Sequence, residues 1–237
     1  MGHGISHERI AGETSLSKTV PLMRGDSKPR PGTKIDRSQV LAAADQLRVK
    51  GKYARAVDEY RKVLLLDPAD ADVLAKIAPL LVKLRQREEA LRDFRLAADI
   101  YVKRGFVDRA IALYVQASAA YPDDPQLWER LGQLHQERGR KAEGVKALMS
   151  GAARFKGKKG RPTALKLLRQ ALGYDELHID ATVALARLLK ADGDGAAART
   201  LLDELAGRIR GPALKRVRSA QLRLFFGPGS LWRWMRA

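Results

Sequence analysis

Residues 95–114 read RLAADIYVKRGFVDRAIALY. Residues 41–60, LAAADQLRVKGKYARAVDEY, and residues 149–168, MSGAARFKGKKGRPTALKLL, align with this stretch without a gap at an offset of 54 residues. The alignment extends over three blocks, 41–90, 95–144 and 149–198. Small residues recur at Ala44, Ala98 and Ala152 and again at Ala56, Ala110 and Ala164. Bulky ones recur at Leu47, Tyr101 and Phe155 and at Tyr60, Tyr114 and Leu168. Small residues at fixed places let helix backbones approach, and bulky residues fill the space that remains, so the repeat is a packing code.

Within each block the apolar spacing is helical. Ala56, Val57, Tyr60, Val63 and Leu64 fall on one face at the three-to-four-residue period, and no stretch alternates with the period of two of a half-buried strand. The reading is all-α. Breaks are expected at Gly51, Asp67-Pro68, Gly105, Tyr121 to Pro125, Gly139, the FKGKKGRP run from Phe155, Gly173 and Asp192 to Gly195. They divide the chain into helices of about 12–18 residues joined by short turns, so neighbours run antiparallel. Pro79 falls inside a helix expected over about 71–84 and should kink it by removing one backbone hydrogen bond.

These residues resemble the tetratricopeptide repeat family, whose helix-turn-helix unit spans about 34 residues. In residues 91–124 the matching positions are Phe94, Ala97-Ala98, Tyr101, Gly105, Ala110, Tyr114, Ala117 and Pro122. Residues 125–158 match through Trp128, Leu131-Gly132, His135, Gly139, Gly144 and Leu148. Residues 37–70 match through Ala43-Ala44, Gly51, Ala56, Tyr60 and Pro68, and residues 179–212 more weakly through Leu185-Ala186, Leu189, Gly193, Ala198 and Leu202. One departure concerns the key small residues Ala56, Ala90, Ala110, Gly144, Ala164 and Ala198, which are spaced alternately by 34 and 20 residues. The helices over about 86–104 and 140–155 therefore end one repeat and open the next. The expected architecture is an antiparallel helical-hairpin solenoid, a TPR-like superhelix with 54-residue three-helix super-repeats, over residues 37–208. Residues 1–36, rich in Gly, Ser, Thr, Pro and charge, read as a disordered or loosely packed arm, and residues 209–237 as a basic, aromatic C-terminal helix and tail.

Composition narrows the function. The 237 residues include no Cys, which excludes disulfides, thiolate zinc sites and cysteine nucleophiles and suits a reducing compartment. The N-terminus lacks a secretory pattern and no apolar run approaches membrane-spanning length, so the cytoplasm is the expected location, with the inner membrane face as a second one. The formal net charge is +18, and residues 145–198 (10 basic, 5 acidic) with residues 199–237 (9 basic, 2 acidic) carry +12 of it. Such a field favours acidic partners, whether an acidic protein face, an anionic lipid surface or nucleic acid.

Enzyme motifs are not found, and neither a catalytic residue, a metal nor a cofactor is expected. His3, His7, His135 and His178 are scattered, and His135 occupies a bulky packing position. The Asp192-Gly193-Asp194-Gly195 run fails as a calcium loop, because Lys190 and Leu201 stand where the first and closing ligands belong. Gly157-Lys158-Lys159-Gly160 lacks the spacing of a phosphate loop. Met1-Gly2 with Ser6 fits an acylation pattern, but the Ala-rich, Arg-over-Lys, Cys-free composition reads as bacterial, where that modification is not expected.

The resemblance implies a non-enzymatic adaptor or scaffold that binds a partner protein or peptide along its groove. The groove side chains placed by the repeat register are Lys76, Arg95, Lys103, Glu129, Arg130 and Gln133. Leu41 and Asp45 occupy the places where some members clamp a terminal carboxylate with Lys and Asn, so that mode is not expected here. The alternative is a peripheral membrane or polyanion-binding protein using the basic C-terminal half. It would use the loop cluster Arg154, Lys156, Lys158, Lys159 and Arg161, without a base-reading motif. A C-terminal interface of Phe225, Phe226, Trp232, Arg233 and Trp234 either docks on a membrane or partner or folds back to cap the last helix.

Overall fold

The computed structural model describes residues 36–226 and Met235. These residues hold eleven helices and no strand: α1 (Arg37–Val49), α2 (Tyr53–Leu64), α3 (Ala71–Lys83), α4 (Arg87–Lys103), α5 (Val107–Ala120), α6 (Pro125–Glu137), α7 (Lys141–Ala152), α8 (Gly157–Tyr174), α9 (Ile179–Ala191), α10 (Gly195–Arg208) and α11 (Gly211–Leu224). The arm expected over residues 1–36 lies outside the described residues apart from Asp36.

Helix starts follow from local chemistry. Asp36, Asp70, Asp124 and Asp194 accept backbone N–H groups of the turn they precede, and His178 Nδ1 does the same for the Ala181 N–H at 3.2 Å. Each such cap contributes about 1 kcal/mol. Helix ends use the left-handed backbone: Gly51, Gly105, Gly139 and Gly193 all have positive φ, and Arg85 adopts φ 59 at the corresponding end of α3. Sequential helices stack as a solenoid. α4 packs closely on both α3 and α5, and α7 on both α6 and α8, while α2/α3, α5/α6 and α8/α9 touch more sparsely. The starts of α3, α6 and α9 fall at 71, 125 and 179, and those of α4, α7 and α10 at 87, 141 and 195.

The core runs along the helix crossings. Ala56, Ala110 and Ala164 are completely buried, and Tyr60, Tyr114 and Leu168 are buried beside them. Where α6 meets α7 the approach is closer still, since a Cβ on Gly151 would lie 2.5 Å from Trp128 Cγ. Trp128 is held there by its indole N–H, which donates to the Pro122 carbonyl at 3.1 Å.

Two expected breaks are placed differently. Gly157 to Pro162 belong to the first turns of α8 rather than to a loop, so only residues 153–156 separate α7 from α8. Gly160 permits this early start, because a Cβ there would stand 2.7 Å from the Phe155 carbonyl carbon. Gly173 does not end α8, which continues to Tyr174. One glycine costs a helix about 1 kcal/mol, and the buried neighbour Ala171 and the half-buried Leu172 and Tyr174 offset it. Pro79 lies within α3, which runs on to Lys83 with Leu80 and Leu81 buried after it. α11 packs on α9 and α10 through Val217 and Ala220.

Candidate functional site

Tyr60 on α2 comes to lie between α1 and α3 because its ring fills the crossing above Ala56. Its hydroxyl donates to Asp45 Oδ1 at 2.6 Å, and Lys76 of α3 donates to Asp45 Oδ2 at 2.9 Å with its ammonium 5.7 Å from the Tyr60 ring. Arg48 joins at 3.3 Å. The Tyr60 hydroxyl and Lys76 hold the Asp45 carboxyl below the usual range, while burial and then Asp45 push Tyr60 up to about 12.

The same three places recur 54 residues on as Asp99, Tyr114 and Arg130. Burial, followed by the Asp99 charge, raises Tyr114, and Arg130 and Arg95 act on it in the opposite sense. The structure thus brings Arg95 and Arg130 together around Tyr114. Both are already paired, Arg95 with Asp124 at 2.8 Å and Arg130 with Glu137 at 3.3 Å. Glu129 accepts from Lys166 of α8 at 2.7 Å. Lys76 belongs to the earlier cluster, and Lys103 and Gln133 are exposed and enter neither. The sequence reading did not identify Asp45, Asp99, Tyr60 and Tyr114 as polar partners. Their signal was present in the recurring columns, where the tyrosines registered only as bulk.

Two clefts open on the solenoid at corresponding places. The first, about 400 Å³, is lined by Arg48, Tyr53, Lys76, Pro79, Leu80 and Lys83. The second, about 410 Å³, includes Lys156, Arg161, Ala184, Arg187, Leu188 and Ala191 in its lining. Each of those six stands two 54-residue steps beyond its counterpart in the first cleft.

The basic cluster is only partly a loop feature. Arg154 and Lys156 lie in the connector, but Lys158, Lys159 and Arg161 ride on the opening turns of α8, whose first turn has no acidic residue. Cations at the positive end of a helix dipole reinforce a local positive field. Arg161 is half-buried and pairs with Asp192 at 3.0 Å, whereas among the described residues Arg154, Lys156, Lys158 and Lys159 have no ion-pair partner.

At the C-terminal end Phe225 is half-buried, with Arg199 4.6 Å and Lys190 5.2 Å from its ring, and Lys190 donates to the Leu224 carbonyl. Phe226 is exposed, and Trp232, Arg233 and Trp234 lie outside the described residues. Among the described residues no group of three or more His, Asp or Glu side chains could hold a metal ion, and no helix is long and apolar enough to cross a membrane. His135 is half-buried on α6 with no hydrogen-bond partner for its Nδ1 among the described residues, and burial lowers its pKa.

A family model described as Tetratricopeptide repeat matches residues 95–159, and a second with the same description matches residues 162–220. Among solved structures, the chain is similar to the MamA protein at 14% identity, covering 80% of this chain and 95% of that one with a TM-score of 0.30. It is similar to Pseudomonas aeruginosa pilF at 17% identity, covering 84% and 87% with a TM-score of 0.27. The apo form of RapI is similar at 12% identity, covering 83% and 61% with a TM-score of 0.45. A search of curated proteins found no match.

Proposed function

The chain belongs to the tetratricopeptide repeat family, and from that premise we propose that it is a non-enzymatic scaffold holding a segment of a partner protein along its helices. The observation that carries this reading is the pair of solvent-open clefts at equivalent places two 54-residue steps apart, each combining apolar surface with cationic side chains. An apolar recess with polar groups at its rim gives a partner side chain both burial and orientation.

Arg95, Glu129 and Arg130 stand between the clefts in sequence and are paired within the chain. A partner binds them by sharing or exchanging those ion pairs, which favours selectivity over raw affinity. Lys76 acts in the same way at the first cleft. Lys103 and Gln133 are exposed and have no side-chain hydrogen-bond or ion-pair partner among the described residues.

A second reading rests on the unpaired cations Arg154, Lys156, Lys158 and Lys159, which suit a phosphate-bearing surface. Salt separates the two. A pull-down from native lysate at low and high ionic strength, with identification of retained protein and nucleic acid, should recover a protein at both salts. That protein should be lost when Arg95 and Arg130 are both replaced by Glu. Retention of nucleic acid alone, vanishing at high salt, would contradict the scaffold reading and favour the second.

A further inference from the structure

Resting on the scaffold reading, we propose that the cleft between α7, α8 and α9 is a docking site for an acidic partner segment that inserts one large apolar side chain.

Elsewhere in the chain the equivalent positions carry polar groups. In the first unit Asp45, Tyr60 and Lys76 stand there, linked at 2.6 and 2.9 Å, and of the three only Lys76 lines the corresponding cleft. In the second, Asp99, Tyr114 and Arg130 stand there. In the third the same positions are Ala153, Leu168 and Ala184, and all three line the cleft. A carboxylate, a phenol and a cation have been replaced by two methyls and an isobutyl group. The replacement removes the hydrogen bonds that tie three helices together and leaves apolar surface open to solvent. Met149, Phe155 and Leu188 extend that surface. A recess of about 410 Å³ accommodates a Leu, Met or Phe side chain, and burying one there contributes favourably to binding.

Charge identifies what flanks that side chain. Lys156, Arg161 and Arg187 reach the cleft from the connector, α8 and α9. Asp192 neutralises Arg161, while Lys156 and Arg187 have no ion-pair partner among the described residues. The surrounding sequence from Val145 to Tyr174 contains no acidic residue. The rim therefore calls for more than one negative charge, which a segment with several Asp or Glu residues supplies.

The test selects random peptides displayed on phage against the full chain, then measures the synthesised winners by fluorescence anisotropy. Winners should carry Leu, Met or Phe flanked by Asp or Glu. Arg187→Glu, at an exposed rim position, should weaken their binding about tenfold or more, and Ala184→Phe, which fills the cleft, should do the same. Arg55→Glu, at an exposed position of α2 outside both clefts, should leave binding unchanged. Thermal melting of each variant separates a local effect from unfolding, and Arg187→Glu suffices if Ala184→Phe does not fold. Acidic peptides insensitive to both cleft variants would overturn the site while leaving the scaffold reading standing. Winners without an acidic pattern, or binding of oleate or phosphatidylglycerol vesicles that displaces every peptide, would overturn it as well. The lysate pull-down judges the scaffold reading on separate evidence.

Discussion

Ala110 has no exposed surface at the start of α5, where the backbones of neighbouring helices come close. Replacing it with Leu should overpack the crossing and destabilise the chain by about 1–3 kcal/mol in thermal melting, and an unchanged melting temperature would place the register elsewhere. Arg85 presents the opposite case. It holds φ 59 where Gly139 and Gly193 end the corresponding helices, and a side chain in that conformation is strained. Arg85→Gly should therefore raise stability by about 0.5–1 kcal/mol, the relief exceeding the entropy that glycine adds to the unfolded chain. His135 makes stability depend on pH. Burial lowers its pKa from the usual 6.5, opposed by Glu143, so the unfolded chain binds the proton more readily than the folded one. Its contribution is complete above the unfolded value of 6.5 and is lost as pH falls through that value toward the lowered one. Melting from pH 8 to 5 should show a decline that His135→Gln reduces, and parallel curves would remove His135 as the cause.

At the scale of elements, the starts of α3, α6 and α9 were legible, because a cap, a helical apolar period and a repeating column agreed at each. The start of α8 was not. Gly, Lys and Pro dominate residues 157–162, and composition alone reads them as a loop, whereas the close passage over Phe155 that Gly160 permits exists only in three dimensions. The candidate site divides in the same way. The register puts Arg95 and Arg130 on groove-side helix faces, but their pairing with Asp124 and Glu137 and their meeting at Tyr114 depend on which helices become neighbours. The second cleft was invisible for a related reason: Ala153 and Ala184 carry no chemical signal, and their meaning lies in the polar residues they replace. For α11, Phe225 against Lys190 and Arg199 gives the terminal helix a foothold. Phe225→Ala should lower stability by about 1–2 kcal/mol through lost apolar and cation–π contact. Deleting residues 227–237 tests the tail separately. If the tail docks on membranes, binding to anionic vesicles is lost with melting unchanged, whereas a lower melting temperature in a chain that never bound vesicles assigns it to capping.

Across the whole molecule, the ion pairs are mostly solvent-exposed, as Arg216–Asp180, Arg208–Glu176 and Arg109–Asp72 illustrate. Such pairs contribute about 0–1 kcal/mol each, so the stability of the solenoid rests on its continuous apolar spine. The net charge of +18 acts on what approaches, more than on whether the chain folds. The central claim, that a partner segment lies along the helix faces carrying the polar clusters and clefts, is tested most directly by hydrogen exchange of the full chain with and without a protein partner retained at high salt. Exchange should slow along α3, α4 and α6 and around the cleft formed by α7, α8 and α9. Slowing confined to α11, or absent from all of those helices while the partner remains bound, would contradict the account.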